Sequence, residues 1–224
     1  NGNLTILAHL GMTGKFFIVD KNKKREKTSF YYSFKNNDFK HDHLTLSLSK
    51  GVKLIYNDVR KFGFLKIFKS ENIFMSRHLQ FLGPEPLKKE FSLKYITKHS
   101  VNKKKNIKDL LMDQKFVSGL GNIYCNEILF LCKIEPCRII KNIKKEELSD
   151  IVKYTKKILK TSILFGGSSI KDFANTEGKT GNFHQKFNVY NREKNKCNRK
   201  NCTGIIQKIY ISNRSSFFCA KCQK

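Results

Sequence analysis

The chain is short of acid and has no long apolar run, and both shortages narrow what it can be. Eighteen Asp and Glu stand against forty-five Lys and Arg in 224 residues, a formal net charge of +27, well beyond what solubility requires. That excess implies a polyanionic partner. It is spread through clusters (Lys23, Lys24 and Arg25; Lys103, Lys104 and Lys105; Lys144 and Lys145) interleaved with Phe and Tyr, which suits a long phosphate backbone better than a small acidic ligand. A lysine-rich compositional habit, visible also in the abundance of Asn and Ile, accounts for part of it. No stretch approaches the roughly 18 apolar residues of a membrane-spanning helix, and no signal peptide precedes the first strand pattern. The expectation is a soluble, cytoplasmic protein with no membrane partner. There is no initiator Met either: the chain opens on Asn1-Gly2-Asn3 and passes at once into a strand pattern, so a fragment is expected.

Proline is scarce, and two of the three prolines, Pro84 and Pro86, stand together in the Leu82–Lys88 segment. Paired prolines oppose both helix and central strand, so this segment reads as a linker. Before it the pattern is β. Leu44, Leu46 and Leu48 alternate with polar residues, a tight Ser49-Lys50-Gly51 turn follows, and Val52, Leu54 and Tyr56 resume the alternation, predicting a hairpin with one buried face. Short runs at 4–8, 15–19, 29–34 and 64–68 supply further strands at sandwich spacing. After about Ser92 the period becomes helical. Leu148, Ile151, Val152, Thr155, Ile158, Leu159 and Ser162 fall on one stripe of a helix that starts near Lys145 and stops at Gly166-Gly167, with lysines opposite. From about Phe187 the chain is basic and has too few apolar residues to fold without a staple.

Cysteine supplies it. Cys197-x4-Cys202 is followed after sixteen residues by Cys219-x2-Cys222, two close pairs that predict a closed, structural tetrahedral Zn²⁺ site rather than secreted disulfides. Ile205, Ile206, Ile209 and Tyr210 between them suggest a β-hairpin whose turn or second strand carries Asn213-Arg214-Ser215. Cys125, Cys132 and Cys137 lack paired spacing and read as buried thiols. The six His residues contain no HExxH pattern; His41 and His43, flanking Asp42, read as surface or phosphate contacts rather than a metal pair.

The stretch SGLGNIYCNE at 118–127 interrupts a helical pattern with two glycines. A helix carrying Ile107, Leu110 and Leu111 ends in a turn through Ser118-Gly119-Leu120-Gly121, and a second starts at Asn122 with free backbone N–H groups and the positive dipole end outward. A phosphate fits there, with the glycines allowing close approach.

With that turn the chain resembles the bacterial formamidopyrimidine-DNA glycosylases, which excise 8-oxoguanine and ring-opened purines. The run Ile107 to Lys115 followed by Gly119 to Glu127 is similar to the helix-two-turn-helix signature. His9 to Gly14, Asp58 to Gly63, Gly166 to Phe173, Asn213 to Ser216 and the terminal cysteine pairs agree in the family's order. The resemblance implies a multidomain α+β protein: the remainder of an N-terminal β-sandwich catalytic domain over 1–88, a helix-two-turn-helix domain over 89–186 with a lesion-recognition loop at 166–181, and a four-cysteine zinc β-hairpin, or zinc finger, over 187–224. It implies bifunctional glycosylase and AP lyase activity with β,δ-elimination in base-excision repair, one structural Zn²⁺, double-stranded DNA with oxidised purines as partner, and a monomeric bacterial, nucleoid-associated enzyme.

Residue by residue, Met12, Arg60 and Phe62 match the trio that fills the gap left by an everted nucleotide; alone, Met12 and Phe62 would be read as core. His9, His41, Lys104, Lys108 and Asn122, with Arg60, match DNA-binding positions. Ser168, Lys171, Asp172 and Phe173 match the loop over the everted base. Arg214, a solvated charge on its own reading, matches the arginine assigned to δ-elimination, and Cys197, Cys202, Cys219 and Cys222 match the metal ligands. Two features depart from the pattern. The first cysteine pair is usually separated by two residues rather than four. The family's N-terminal proline nucleophile, its adjacent glutamate acid/base and a lysine before the His9 strand have no match in this chain, so residues 1–224 alone are expected to be inactive. Two other readings stay open: an endonuclease VIII-type glycosylase for oxidised pyrimidines, and a non-catalytic damaged-DNA-binding protein.

Overall fold

The computed structural model describes residues 2–22, 25–27, 39–101, 103–167 and 186–224. The described chain forms two compact units that divide between Gln80 and Phe81.

The first unit is antiparallel β. Strands β1 (Leu4–His9) and β6 (Phe64–Lys69) pair with Ile6 opposite Ile67 and His9 opposite Phe64. Strands β2 (Lys15–Val19), β3 (Arg25–Lys27), β4 (Asp42–Ser47) and β5 (Lys53–Asn57) form a second sheet in the order β3-β2-β5-β4. The β4–β5 hairpin turns where the Ser-Lys-Gly triplet predicted, with Lys50 and Gly51 both at positive φ. Its expected buried face is only half covered: Tyr56 is buried, but Leu44 and Leu48 are exposed. Of the buried hydrophobic residues described, only Phe17 and Tyr56 belong to this unit. Polar contacts reinforce so thin a core. The Arg25 guanidinium grips the Asp42 carboxylate through two hydrogen bonds, 2.9 and 2.8 Å, and lies 3.9 Å from the Phe17 ring centre. The Asn57 amide donates to the same carboxylate at 2.7 Å. The expected strand at 29–34 lies outside the described residues.

The second unit holds the main core. Helix α3 (Asn122–Cys132) is apolar nearly all round and is buried, as such a helix must be. It packs against α2 (Ile107–Met112), α4 (Lys145–Leu164) and β8 (Arg214–Cys219), while α1 (Leu93–Ser100) packs on α4. Side chains set the helix starts. Ser92 accepts from the Tyr95 amide at 3.3 Å, Asn106 from the Asp109 amide at 2.8 Å, and Glu147 from the Lys144 amide at 2.8 Å, each occupying an otherwise orphaned donor. On α4 the predicted stripe is the packed one: Leu148, Ile151, Thr155, Ile158 and Ser162 are buried, with Val152 and Leu159 partly so. Gly167 closes that helix by donating to the Ser162 carbonyl at 2.8 Å. Strand β7 (Ile206–Ile211) and β8 form the C-terminal hairpin, joined by Ser212 and Asn213, both at positive φ, the geometry of a two-residue primed turn. Among the described residues no helix is long and apolar enough to cross a membrane.

Candidate nucleic-acid interface

In the first unit, two loops built on neighbouring strands present the trio. Met12 follows β1, and Arg60 and Phe62 lie between β5 and β6. Met12 is 65% and Phe62 58% exposed, so neither is core. The Arg60 guanidinium reaches the Met12 sulfur at 3.2 Å and lies 4.4 Å from the centre of the Phe62 ring, giving one apolar and aromatic projection capped by a cation. Close backbone approach makes this possible. A Cβ on Gly11, whose φ is +59, would stand 2.9 Å from the Phe62 carbonyl carbon, and one on Gly63 would stand 2.0 Å from the Tyr56 hydroxyl.

Beneath the projection lies Asp58, fully buried. One carboxylate oxygen accepts from the Thr13 hydroxyl at 2.5 Å and the Arg60 amide at 3.2 Å; the other accepts from the Tyr56 hydroxyl at 3.0 Å and the Gly63 amide at 2.9 Å. Burial alone would raise its pKa, but the donors from Thr13, Gly63, Tyr56 and Arg60 outweigh it and hold the carboxyl at about 2. Burial and this carboxylate push the Tyr56 phenol up to about 12. The Asp58 carbonyl also pairs with the His43 ring at 2.8 Å, and the Asp58 amide donates to His41 O at 3.0 Å. His9, exposed at the end of β1, lies 5.3 Å from the Phe64 ring, which in turn meets His78 at 4.8 Å. Lys66 donates to the His78 imidazole at 2.8 Å, and burial, then the positive charges of Lys66, Arg77 and His9, lower the His78 pKa.

In the second unit, the segment before α3 is held by Gln114. Its amide nitrogen donates to the Met112 and Leu120 carbonyls at 3.2 and 2.9 Å, and its oxygen accepts from the Gly119 amide at 2.7 Å. Gly121 caps α3 with no side-chain hydrogen bond, so the cap residue itself leaves the helix's first amides without a partner. The Asn122 side chain donates to the Ser215 carbonyl at 3.0 Å. Lys104 is exposed.

Lys108 departs from the expected phosphate contact. It is fully buried, and its ammonium donates to the Ser215 carbonyl at 3.1 Å and the Ser216 hydroxyl at 2.5 Å. Burial lowers its pKa from 10.5 to about 8. It therefore holds the C-terminal hairpin instead of facing solvent. Asn126 joins the same clamp by accepting from the Phe217 amide at 2.7 Å, and Asp109 by accepting from the Ser212 hydroxyl at 2.8 Å. The clamp leaves Arg214, next to the turn, exposed.

The four paired cysteines converge, with all four sulfurs within 4.8 Å of one another. Cys197 and Cys222 stand 3.8 Å apart, Cys202 and Cys219 3.7 Å. That is too far for disulfides and matches the roughly 3.8 Å edge of a thiolate tetrahedron around an ion at about 2.3 Å. The longer first spacing still brings both of its thiols into the cluster, and the donor set fits a metal ion. Cys125 and Cys132 are buried, with the Cys125 thiol pushed up to about 12 by burial, whereas Cys137 is exposed, contrary to its reading as a buried thiol. The loop residues Ser168, Lys171, Asp172 and Phe173 lie outside the described residues.

Two residues hold structural roles that spacing does not announce. Asp58 belongs to the Asp58–Gly63 run and has Tyr56, Arg60 and Gly63 close by in sequence, but the bond to Thr13 that ties the second loop to the first has no local signal. Glu127, buried on α3, receives the Asn188, Val189 and Tyr190 amides and the Asn188 side chain at 2.9 to 3.0 Å, fixing the chain as it enters the cysteine region. Its one advance signal is a charged residue on an otherwise apolar helical face.

Residues 1–65 match the model of the formamidopyrimidine-DNA glycosylase N-terminal domain, and residues 82–174 that of the formamidopyrimidine-DNA glycosylase H2TH domain. The formamidopyrimidine-DNA glycosylase of Rickettsia felis is 36% identical over 224 residues, covering all of this chain and 75% of that protein; the Rickettsia bellii protein is 38% identical over 224 residues, covering all of this chain and 76% of it. Among solved structures, a Lactococcus lactis Fpg variant with DNA containing Fapy-dG superposes with a TM-score of 0.81 at 32% identity, covering 99% of this chain and 75% of that one. MutM with DNA containing carbocyclic 8-oxo-G gives 0.81 at 33% identity with the same coverage. Sheet unit, helix-two-turn-helix and thiolate hairpin together define a class, the DNA glycosylases built in this order. Within that class, the chain belongs to the formamidopyrimidine-DNA glycosylase family.

Proposed function

We propose that the protein serves base-excision repair by removing oxidised purines, 8-oxoguanine and formamidopyrimidines, from double-stranded DNA, acting as a monomer with β,δ-elimination at the resulting abasic site. The observation that carries this reading is the exposed Met12–Arg60–Phe62 projection. A duplex from which one nucleotide is everted has an emptied stack and an unpaired base; a flexible thioether, a flat ring and a guanidinium donor are what refill them. His9, His41, Lys104, Asn122 and Arg214 supply cationic or polar contacts to the phosphates, and Arg214 the proton for δ-elimination. Ser168, Lys171, Asp172 and Phe173 complete the reading as contacts to the everted base.

The thiolate set holds one Zn²⁺ in a structural role, keeping the hairpin folded so that Arg214 is presented from a rigid strand end. The chemical step is attack of a secondary amine on the sugar C1′, departure of the base, and elimination from the resulting iminium. The family resemblance assigns that amine to an N-terminal proline, which residues 1–224 do not include, and the chain spans about three quarters of the curated relatives it matches. The 224-residue polypeptide should therefore bind DNA yet form no borohydride-trapped adduct with an 8-oxoguanine duplex. A chimera carrying the N-terminal segment of the Rickettsia felis relative in front of the same residues should be trapped and should cut the strand. A chimera that binds damaged DNA but leaves the base in place would overturn the glycosylase reading, and efficient trapping by residues 1–224 alone would overturn the assignment of the nucleophile.

A further inference from the structure

The geometry points to Asp58, acting with Thr13 and Tyr56, as a positioning residue that builds the Met12–Arg60–Phe62 projection before DNA arrives. This rests on the reading of that projection as the element that refills the emptied stack. The carboxylate is fully buried beneath both loops and takes four donors, the Thr13 and Tyr56 hydroxyls and the Arg60 and Gly63 amides. Two oxygens of an ionised carboxylate can accept four such bonds; a protonated acid or an amide cannot. The bonded groups are well placed to act on the projection. Thr13 is next to Met12, and Arg60 and Gly63 bracket Lys61 and Phe62. Thr13 couples the two loops directly, since its hydroxyl donates to Asp58 and accepts from the Arg60 amide at 3.0 Å.

The first loop is closed on its own by the Gly14 amide donating to the Leu10 carbonyl at 2.8 Å; the Asp58 and Thr13 bonds are what tie it to the second. Phe62 and Met12 are mostly exposed, so packing does not fix them, and Lys61 sits at a φ of +56, a conformation that costs a lysine energy and persists only where surroundings enforce it. A projection that had to order itself on DNA would lose affinity for the emptied stack specifically, because phosphate contacts do not depend on it. The hub's charge is stable over the working range, since its carboxyl is held at about 2.

The test compares binding of residues 1–224, zinc-loaded, to a duplex with one tetrahydrofuran abasic analogue and to the same duplex undamaged. Thr13→Val removes the hydroxyl at constant shape, Thr13→Ser keeps it, and Asp58→Asn replaces one acceptor oxygen with a donor, set either against the Gly63 amide and Tyr56 hydroxyl or against the Thr13 hydroxyl and Arg60 amide. The unaltered protein and T13S should prefer the abasic duplex, whereas T13V and D58N should lose that preference by about tenfold with undamaged affinity held within about twofold. Unchanged preference in T13V and D58N, or a fall in T13S as large as in T13V, would overturn the positioning role. If D58N does not fold, the T13V and T13S pair still decides. Equal affinity of the unaltered protein for the two duplexes would instead overturn the reading of the projection, and the inference with it.

Discussion

Individual residues carry meanings here that their neighbours in sequence do not disclose. Met12 and Phe62 look like core by type; only the fold shows them standing out of it, on two loops that Gly11 and Gly63 let approach closely. Lys108 is the reverse case, one lysine among many that the fold buries against the hairpin. Replacing Arg60 with Ala removes both the cap over Phe62 and the contact to Met12. It should reduce the preference for an abasic over an undamaged duplex by about tenfold, as read by competition binding, with undamaged affinity changed by less than about threefold as for a single surface cation. Lys108 makes a pH prediction. Its pKa is about 8 when folded and near 10.5 when unfolded, so the unfolded chain holds more protons across that window and this group adds stability as pH rises through it. Thermal unfolding of the unaltered protein and of K108M from pH 8 to 10.5 should therefore diverge in favour of the unaltered protein. A constant difference would show that the lysine is not the buried titrating group described.

At the level of elements, periodicity was informative and boundaries were less so. The α4 stripe and its stop at Gly166-Gly167 were legible because apolar spacing and helix-ending glycines are local signals. The end of α2 was not. The helix stops at Met112, because Gln114 holds the following turn with side-chain bonds that no spacing rule announces. The thiolate hairpin was readable from cysteine spacing alone, but its docking through Lys108, Asn122 and Asn126 was not, since those residues stand far from it in sequence. With the proposed Zn²⁺ as its staple, the hairpin should unfold on chelation with thiols kept reduced and DNA affinity should fall by more than about tenfold, while far-ultraviolet circular dichroism retains the signal of α1 to α4. Retention of both the hairpin and full affinity with less than half an equivalent of metal would contradict the structural role. Glu127 anchors the entrance to that hairpin through four donors. Glu127→Gln replaces an acceptor with a donor among amides and should cost about 1–3 kcal/mol in urea unfolding, with no comparable loss for Glu127→Gln if the carboxylate were solvated.

For the whole molecule, the charge of +27 is the property that composition discloses most directly, and it sets the scale of binding without setting its selectivity. If about six phosphates are neutralised, log K should fall with log salt at a slope near −5, the same for damaged and undamaged duplexes. On the function proposed, selectivity belongs instead to the Met12–Arg60–Phe62 projection, which would contribute nothing to that slope beyond the Arg60 charge. The measurement that bears most directly on this account is therefore the ratio of affinities of the zinc-loaded 224-residue protein for a tetrahydrofuran-containing duplex and its undamaged counterpart, followed across a salt series. The protein should prefer the damaged duplex by more than about tenfold, and that preference should persist as salt rises while both affinities fall. A ratio near one at every salt concentration would contradict it.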